Sequence, residues 1–203
     1  MSVLEDTIGV VHRLLVTDRR AHIIAERVAA LLPEEATVLD IGCGNGIVSS
    51  LVMNLRPDVR ISGVDIVVRD ECRIEATAFN GCVIPLEADS VDAVLLIDVL
   101  HHTEDPNVLL AEAKRVARKA IVLKDHAVKG RLATPTLRFM EWFGNAPYGI
   151  VITNNFWTPE MWRDAFRFHG LEAEEFSERI GIYPWPASLL FDRSLHFLGR
   201  LIP

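Results

Sequence analysis

Residues 38–46, VLDIGCGNG, set an acid, Asp40, ahead of three glycines at alternate positions, Gly42, Gly44 and Gly46, with Cys43 and Asn45 between them. Glycine is weak inside helices and strands, so three in so short a span mark a turn whose backbone takes unusual dihedrals or lies against a bound group. A turn from a strand into a helix leaves N–H groups unpaired, and glycine lets a ligand pack against them without a Cβ in the way. Dinucleotide sites want G-x-G-x-x-G, which would need glycine where this chain has Ile47. A carboxylate just before the turn opposes a pyrophosphate and favours an ammonium; at about 4 Å and a surface-like dielectric the Coulomb interaction is roughly 4 kcal/mol. Further on, GVDI ends at Asp65, where a carboxylate at a strand end can accept from both hydroxyls of a ribose. S-adenosyl-L-methionine carries an ammonium and a ribose, together with a sulfonium and an adenine that needs an apolar slot.

The elements that must position these groups follow from periodicity. ATVLDI is a short strand and IVSSLVMNLRP returns to helical spacing, so the glycines join strand to helix. DVRISGVDI, VDAVLLIDVL and AIVLKDH read as further strands, the last two apolar enough for a sheet covered on both faces, and NVLLAEAKRVARK as an amphipathic helix. Strands alternating with helices predict a doubly wound α/β fold with a mostly parallel sheet. Ahead of it, Leu4, Ile8, Val11 and Leu15, then Ile24, Val28 and Leu31, recur at helical intervals and predict one or two covering helices ending before Pro33. Thr158, Pro159 and Gly170 mark N-cap, first turn and C-cap of a helix in WTPEMWRDAFRFHG.

Three segments in order resemble the class I S-adenosylmethionine-dependent methyltransferases. VLDIGCGNG looks like their first motif, GVDI like their acidic second-strand end, and IPLEADSVDAVLLIDVLHHTEDP is similar to the stretch through their fourth strand. The resemblance covers about residues 35–125. It implies a Rossmann-like sandwich with seven strands, the last antiparallel, for which LHFLGRLI is suited. It also implies that the glycines with Cys43 and Asn45 line the methionine and ribose side, that Asp40 holds the amino group directly or through water, and that Asp65 holds the ribose, with Ile66 in the same cofactor set. Asn80 falls where the family often has an Asp facing the adenine amino group, and Leu96 belongs to the same cofactor set. The chain departs from the pattern between Asp65 and IPL, where there is too little sequence for a full crossover helix plus a strand, so the second helix is abbreviated or lost. It also lacks a Pro-Gly-Gly turn before the fifth strand.

For chemistry at the acceptor, titratable groups at the carboxyl ends of the strands matter most. His126 and Asp125 end the fifth strand just ahead of an aromatic-rich stretch and are the candidates for a general base or substrate ligand. His101 and His102 follow the fourth strand and could equally pack or cap a helix; Lys124 reads as a solvated or ion-paired charge, and His12, His22, His169 and His196 as surface or core residues. Every Trp, both Tyr and every Phe except Phe79 lie after Asp125. Within that half, residues 127–157 lack a strong period and are expected to form a substrate lid or loop offering Arg138, Trp142, Asn145 and Tyr148. The alternative is that Phe139, Trp142 and Phe143 form an apolar helix face beneath it. One domain over residues 1–203 results: covering helices 1–34, a cofactor half 35–126, the lid 127–157, and a C-terminal helix and β-hairpin 158–203.

The 203 residues carry a formal charge of −7, which argues against a protein built to grip nucleic acid or an anionic membrane. The partner expected is a small-molecule or lipid-like substrate, the latter suited to a mean hydropathy of +0.22. Three scattered cysteines, Cys43, Cys72 and Cys82, form neither a disulfide framework nor a zinc-finger spacing, so no metal is expected. No stretch of about 18 apolar residues suggests a transmembrane segment, and the early acids of the N-terminus do not suit a leader, so a cytoplasmic protein is expected. Two other functions stay open: a non-catalytic S-adenosylmethionine-binding sensor or partner module, and a nicotinamide-dependent oxidoreductase, the latter disfavoured by Ile47.

Overall fold

The computed structural model describes residues 18–145 and 155–203, the side chains of residues 143–145 excepted. In the first of these stretches α1 (Arg19–Leu31) is followed by β1 (Thr37–Ile41), α2 (Ile47–Leu55), β2 (Arg60–Asp65), β3 (Ala76–Ala78), β4 (Val91–Ile97), α3 (Pro106–Val116), β5 (Ala117–His126) and α4 (Ala133–Asn145). The second holds α5 (Pro159–His169), β6 (Glu172–Ser177), the short α6 (Ser188–Phe191) and β7 (His196–Ile202). The strands form one seven-stranded sheet in the order β3-β2-β1-β4-β5-β7-β6. β3, β2, β1, β4 and β5 pair in parallel, while β7 runs antiparallel to both β5 and β6.

Alternation along the central strands divides the core into two layers. Leu39, Ile41, Val94, Leu96, Ile121 and Leu123 face one side, where Leu109, Leu110 and Ala113 of α3 and Trp162, Ala165 and Phe166 of α5 cover them. Val38, Ala93, Leu95, Ala120 and Val122 face the other, under Ile24, Ala25 and Val28 of α1 and Val52 of α2. Covering on both faces is why β4 and β5 are continuous apolar runs. Arg56, just beyond α2, donates to the carbonyls of Ala29, Leu32 and Pro33 and so satisfies the C-terminal end of α1.

The expected abbreviation is present: residues 66–75 carry no helix, and β3 is three residues long. The cap signals also act as anticipated in α5, where Thr158 Oγ1 accepts from the Met161 N–H and Gly170 adopts φ +60° as C-cap. One expectation is corrected. The 127–157 segment contains a helix of 13 residues, α4, so it is not an unperiodic loop. Leu4, Ile8, Val11 and Leu15 lie outside the described residues. Among those described, no helix is long and apolar enough to cross a membrane.

Candidate active site at the carboxyl end of the sheet

The three glycines sit at the carboxyl end of β1 with φ of +71°, +57° and +67°, a region that L side chains avoid. Their surroundings differ. A Cβ on Gly42 would stand 2.6 Å from Val99 Cγ2 and one on Gly46 2.9 Å from Ile74 Cγ1, whereas one on Gly44 would meet nothing within 4 Å. Gly42 and Gly46 are therefore required by packing, and only Gly44 opens onto free space.

Several N–H groups of the turn are spent on its own hydrogen bonds. Gly42 and Cys43 donate to Val64 O, Gly46 to Cys43 O, Gly44 to Asp65 Oδ2 at 2.7 Å and Ile47 to Asn45 Oδ1. The turn is anchored onto the end of β2, which places Asp65 against Gly44. Cys43 packs its side chain into the space a Cβ on Gly63 would need, and burial pushes its thiol up to about 12, so it is an inert filler.

Asp40 is buried, and Ser49 donates to its Oδ2 at 2.6 Å. Burial raises its carboxyl to about 7, opposed by the Ser49 hydroxyl and reinforced by Asp65. A buried acid held so high is stabilised as an anion by any cation brought beside it. Ile66 and Val83 are exposed apolar residues on the adjoining loops. Asn80 does not offer its carbonyl outward as anticipated: Oδ1 already accepts from the Cys82 and Val83 N–H groups and closes a local turn. Leu96 is fully buried in the sheet core, so its side chain is closed to a ligand.

Beyond β4 and β5 lies a buried cluster of charged and imidazole groups. Asp98, whose φ is +57°, pairs with Lys124 and with Arg20 of α1, and these two cations hold its carboxyl well below the usual range despite burial. Lys124 is completely buried, so it is ion-paired and not solvated; its ammonium also lies 3.2 Å from His196 Nδ1. His101, 1% exposed, is 2.6 Å through Nδ1 from Asp125 Oδ1. Burial would lower His101, but Asp125 and Glu141 outweigh it and raise the imidazole to about 10. His126 Nε2 lies 3.2 Å from Glu141 Oε1, and burial with the neighbouring Lys124 lowers that imidazole.

Asp125 does not stand free as a base. It is inaccessible, its Oδ2 accepts from the Leu100 N–H, and its Oδ1 serves both His101 and the His126 N–H. His101 lowers its carboxyl against the opposing effect of burial. His126 is only 3% exposed, and its carbonyl accepts from Trp162 Nε1. Both therefore lie beneath the surface, while His102, at 26% side-chain exposure, is the most open ring of the group.

The methyltransferase-domain family matches residues 16–175. The chain belongs to that family. No curated protein matches the chain. Among solved structures, this methyltransferase domain is similar to a chain from the complex between the Haloferax volcanii Trm112 methyltransferase activator and a methyltransferase, with 21% identity, TM-score 0.67, and coverage of 91% of this chain and 90% of that one. It is also similar to an S-adenosylmethionine-dependent methyltransferase of Thermotoga maritima, with 21% identity, TM-score 0.64, and coverage of 98% and 94%. The [4+2]-cyclase SpnF has 14% identity and TM-score 0.64 over 89% of this chain and 80% of its own. At such identities the likeness establishes a shared fold, which hosts more than one chemistry.

The methyltransferase domain turns Ala133, Leu137 and Glu141 of α4 inward, four residues apart. Arg138 and Trp142 are one position further along and face outward, with Trp142 58% exposed. Trp142 and Phe139 are thus not an apolar face hidden under a lid. The Phe143 and Asn145 side chains and Tyr148 lie outside the described residues. The group that α4 delivers to the cluster is Glu141, which sequence reasoning missed together with Asp98 and Arg20. The Ala133–Leu137–Glu141 spacing was the available signal.

Proposed function

We propose that the protein transfers a methyl group from S-adenosylmethionine to a small or lipid-like acceptor at the carboxyl end of the sheet. The carrying observation is the pair of acids flanking the opening at Gly44: Asp40, a buried carboxyl suited to a cation, and Asp65, fixed by the Gly44 N–H at the end of β2. These residues fit the donor. Asp40 would hold its ammonium, Asp65 its ribose, and Ile66 the apolar side of its adenine. When bound, the donor supplies an electrophilic methyl on a sulfonium. The chain's own contribution is alignment and exclusion of water, which govern an in-line displacement. Asp125 fixes the His101 ring, and His126 with Glu141 sets the charge beside the acceptor. The exposed apolar side chains of Phe139, Trp142, Leu189 and Leu190 support an acceptor with hydrophobic surface, for which Arg138 is an outer polar contact.

Calorimetric titration with S-adenosylhomocysteine tests this. Folded, ligand-free protein is expected to bind at one saturable site, and Asp65→Asn and Asp40→Asn each to weaken binding roughly ten- to a hundred-fold, the loss expected for a hydrogen bond to a charged group. Absence of binding by the wild-type chain overturns the proposal. A second reading, a binding module without turnover, is favoured by the burial of both Asp125 and His126. Labelled donor incubated with cellular extract separates the two: transfer of label to an extract component supports the enzyme, and donor binding without transfer supports the module.

A further inference from the structure

The histidine–carboxylate cluster has a feature that methyl transfer alone does not require. One ring nitrogen each of His101 and His102 and a carboxylate oxygen of Glu141 lie within 4.8 Å of one another. His101 Nε2 is 3.5 Å from Glu141 Oε1, and His102 Nε2 is 3.6 Å from Glu141 Oε2. Donor atoms bound at 2.0–2.1 Å in a tetrahedron are roughly 3.3 Å apart, so each imidazole already stands near that spacing from one Glu141 oxygen, and side-chain adjustment brings the set around one small ion.

The outer shell points the same way. A metal-bound histidine characteristically gives its other ring N–H to a carboxylate, which fixes the tautomer and aims the remaining lone pair. His101 does this through Nδ1 to Asp125 Oδ1 at 2.6 Å, with an ion at Nε2 taking the place of the proton that Asp125 and Glu141 favour there, and Asp125 is itself fixed by the Leu100 and His126 N–H groups. Phe156 stacks on the His101 ring with centroids 5.6 Å apart, and Asn155 donates its backbone N–H to the His101 carbonyl, so the ring is packed and its backbone anchored. His126, 3% exposed, directs Nε2 at the same Glu141 carboxylate, while its Nδ1 has no hydrogen-bond partner among the described residues.

A second overlapping group, Asp98, His101 and His126, also lies within 4.8 Å. Lys124 and Arg20 already neutralise Asp98, and their charges repel a cation from that side. The ion therefore belongs on the His102 side, away from Lys124. We propose that His101, His102 and Glu141 bind a divalent transition-metal ion such as zinc, through two imidazoles and one carboxylate. Three protein ligands would leave a position open for water or an acceptor oxygen, and His102, 26% exposed, is the ligand nearest solvent.

The test uses the full chain, stripped with chelator and titrated with Co²⁺ as a spectroscopic probe, with Zn²⁺ in competition. Expected is a single equivalent of Co²⁺ with visible d–d bands of nitrogen and oxygen ligation, displaced by Zn²⁺. His102→Gln, at the most exposed position of the set, abolishes the bands while the far-ultraviolet circular dichroism and melting temperature stay those of the wild type. Asp125→Asn weakens binding roughly 10–100-fold, as loss of an outer-shell partner does. His169→Gln, a histidine outside the cluster, leaves binding unchanged. No stoichiometric binding by the wild type, thiolate charge-transfer bands that assign the ion to a cysteine, or undiminished binding in folded His102→Gln each overturns the proposal. Ion binding is measured without methyl donor, so its failure leaves the proposed transfer reaction standing, and the reverse also holds.

Discussion

Asp40 shows how the burial of a single side chain couples stability to pH. Its carboxyl is about 7 in the folded chain against an ordinary value near 3.8, because burial penalises the anion. The folded state therefore binds a proton more tightly than the unfolded state, so this group's contribution is full below about pH 4 and is lost as pH rises through 7. The span corresponds to a loss on the order of 4 kcal/mol. Denaturant unfolding at pH 4.5, 6 and 8 should show wild type losing stability relative to Asp40→Asn as pH rises. A pH-independent difference between them would contradict this account. Saturating S-adenosylhomocysteine should reduce the slope, since an ammonium beside Asp40 favours the anion that burial opposes.

At the scale of elements, the β1–α2 turn is built to a tolerance of one methyl group. Gly42 combines φ +71° with a Val99 side chain 2.6 Å from where a Cβ would stand. Left-handed backbone costs an ordinary residue roughly 1–2 kcal/mol, and overpacking adds about 1–3 kcal/mol. Gly42→Ala is accordingly expected to lower unfolding free energy by about 2–5 kcal/mol, measured by urea denaturation. Gly44→Ala should cost only the backbone share, because nothing lies within 4 Å of the added atom. Equal losses in the two variants would argue against the packing explanation. The helix signals act at this scale too: Asp105 caps α3 by accepting from the Asn107 N–H ahead of Pro106, as Thr158 does for α5.

The whole molecule converges on the pair between buried Lys124 and partly buried Asp98, which joins α1 through Arg20, the end of β4, the end of β5 and β7 through His196. Such a pair is weak evidence of net stabilisation, but breaking it leaves one partner's charge with less compensation, Arg20 being the remaining cation on Asp98 when Lys124 is removed. Lys124→Met should destabilise the fold by about 3–5 kcal/mol. The double variant Lys124→Met with Asp98→Asn should recover part of that loss, a non-additivity that a double-mutant cycle in chemical denaturation measures. Additive losses would show that Arg20 alone satisfies Asp98.

The sequence by itself determined what depends on neighbours along the chain. Alternate glycines after a β-branched run, Asp65 at a strand end, the missing room for a second crossover helix and the Thr158–Pro159–Gly170 punctuation are local constraints on dihedrals and caps, visible within a dozen residues. Tertiary structure decided what depends on burial and on which distant groups meet. Whether Asp125 is free or spent depends on Leu100 and His101, more than twenty positions away, and Lys124 is buried because Asp98 and Arg20 arrive from other elements. The inward turn of Glu141, and not Trp142, follows from how α4 rotates onto the cluster, since one residue along a helix changes direction by about 100°. Desolvation and charge pairing act through space, so the candidate chemistry of the histidines could be located from sequence, but its arrangement could not.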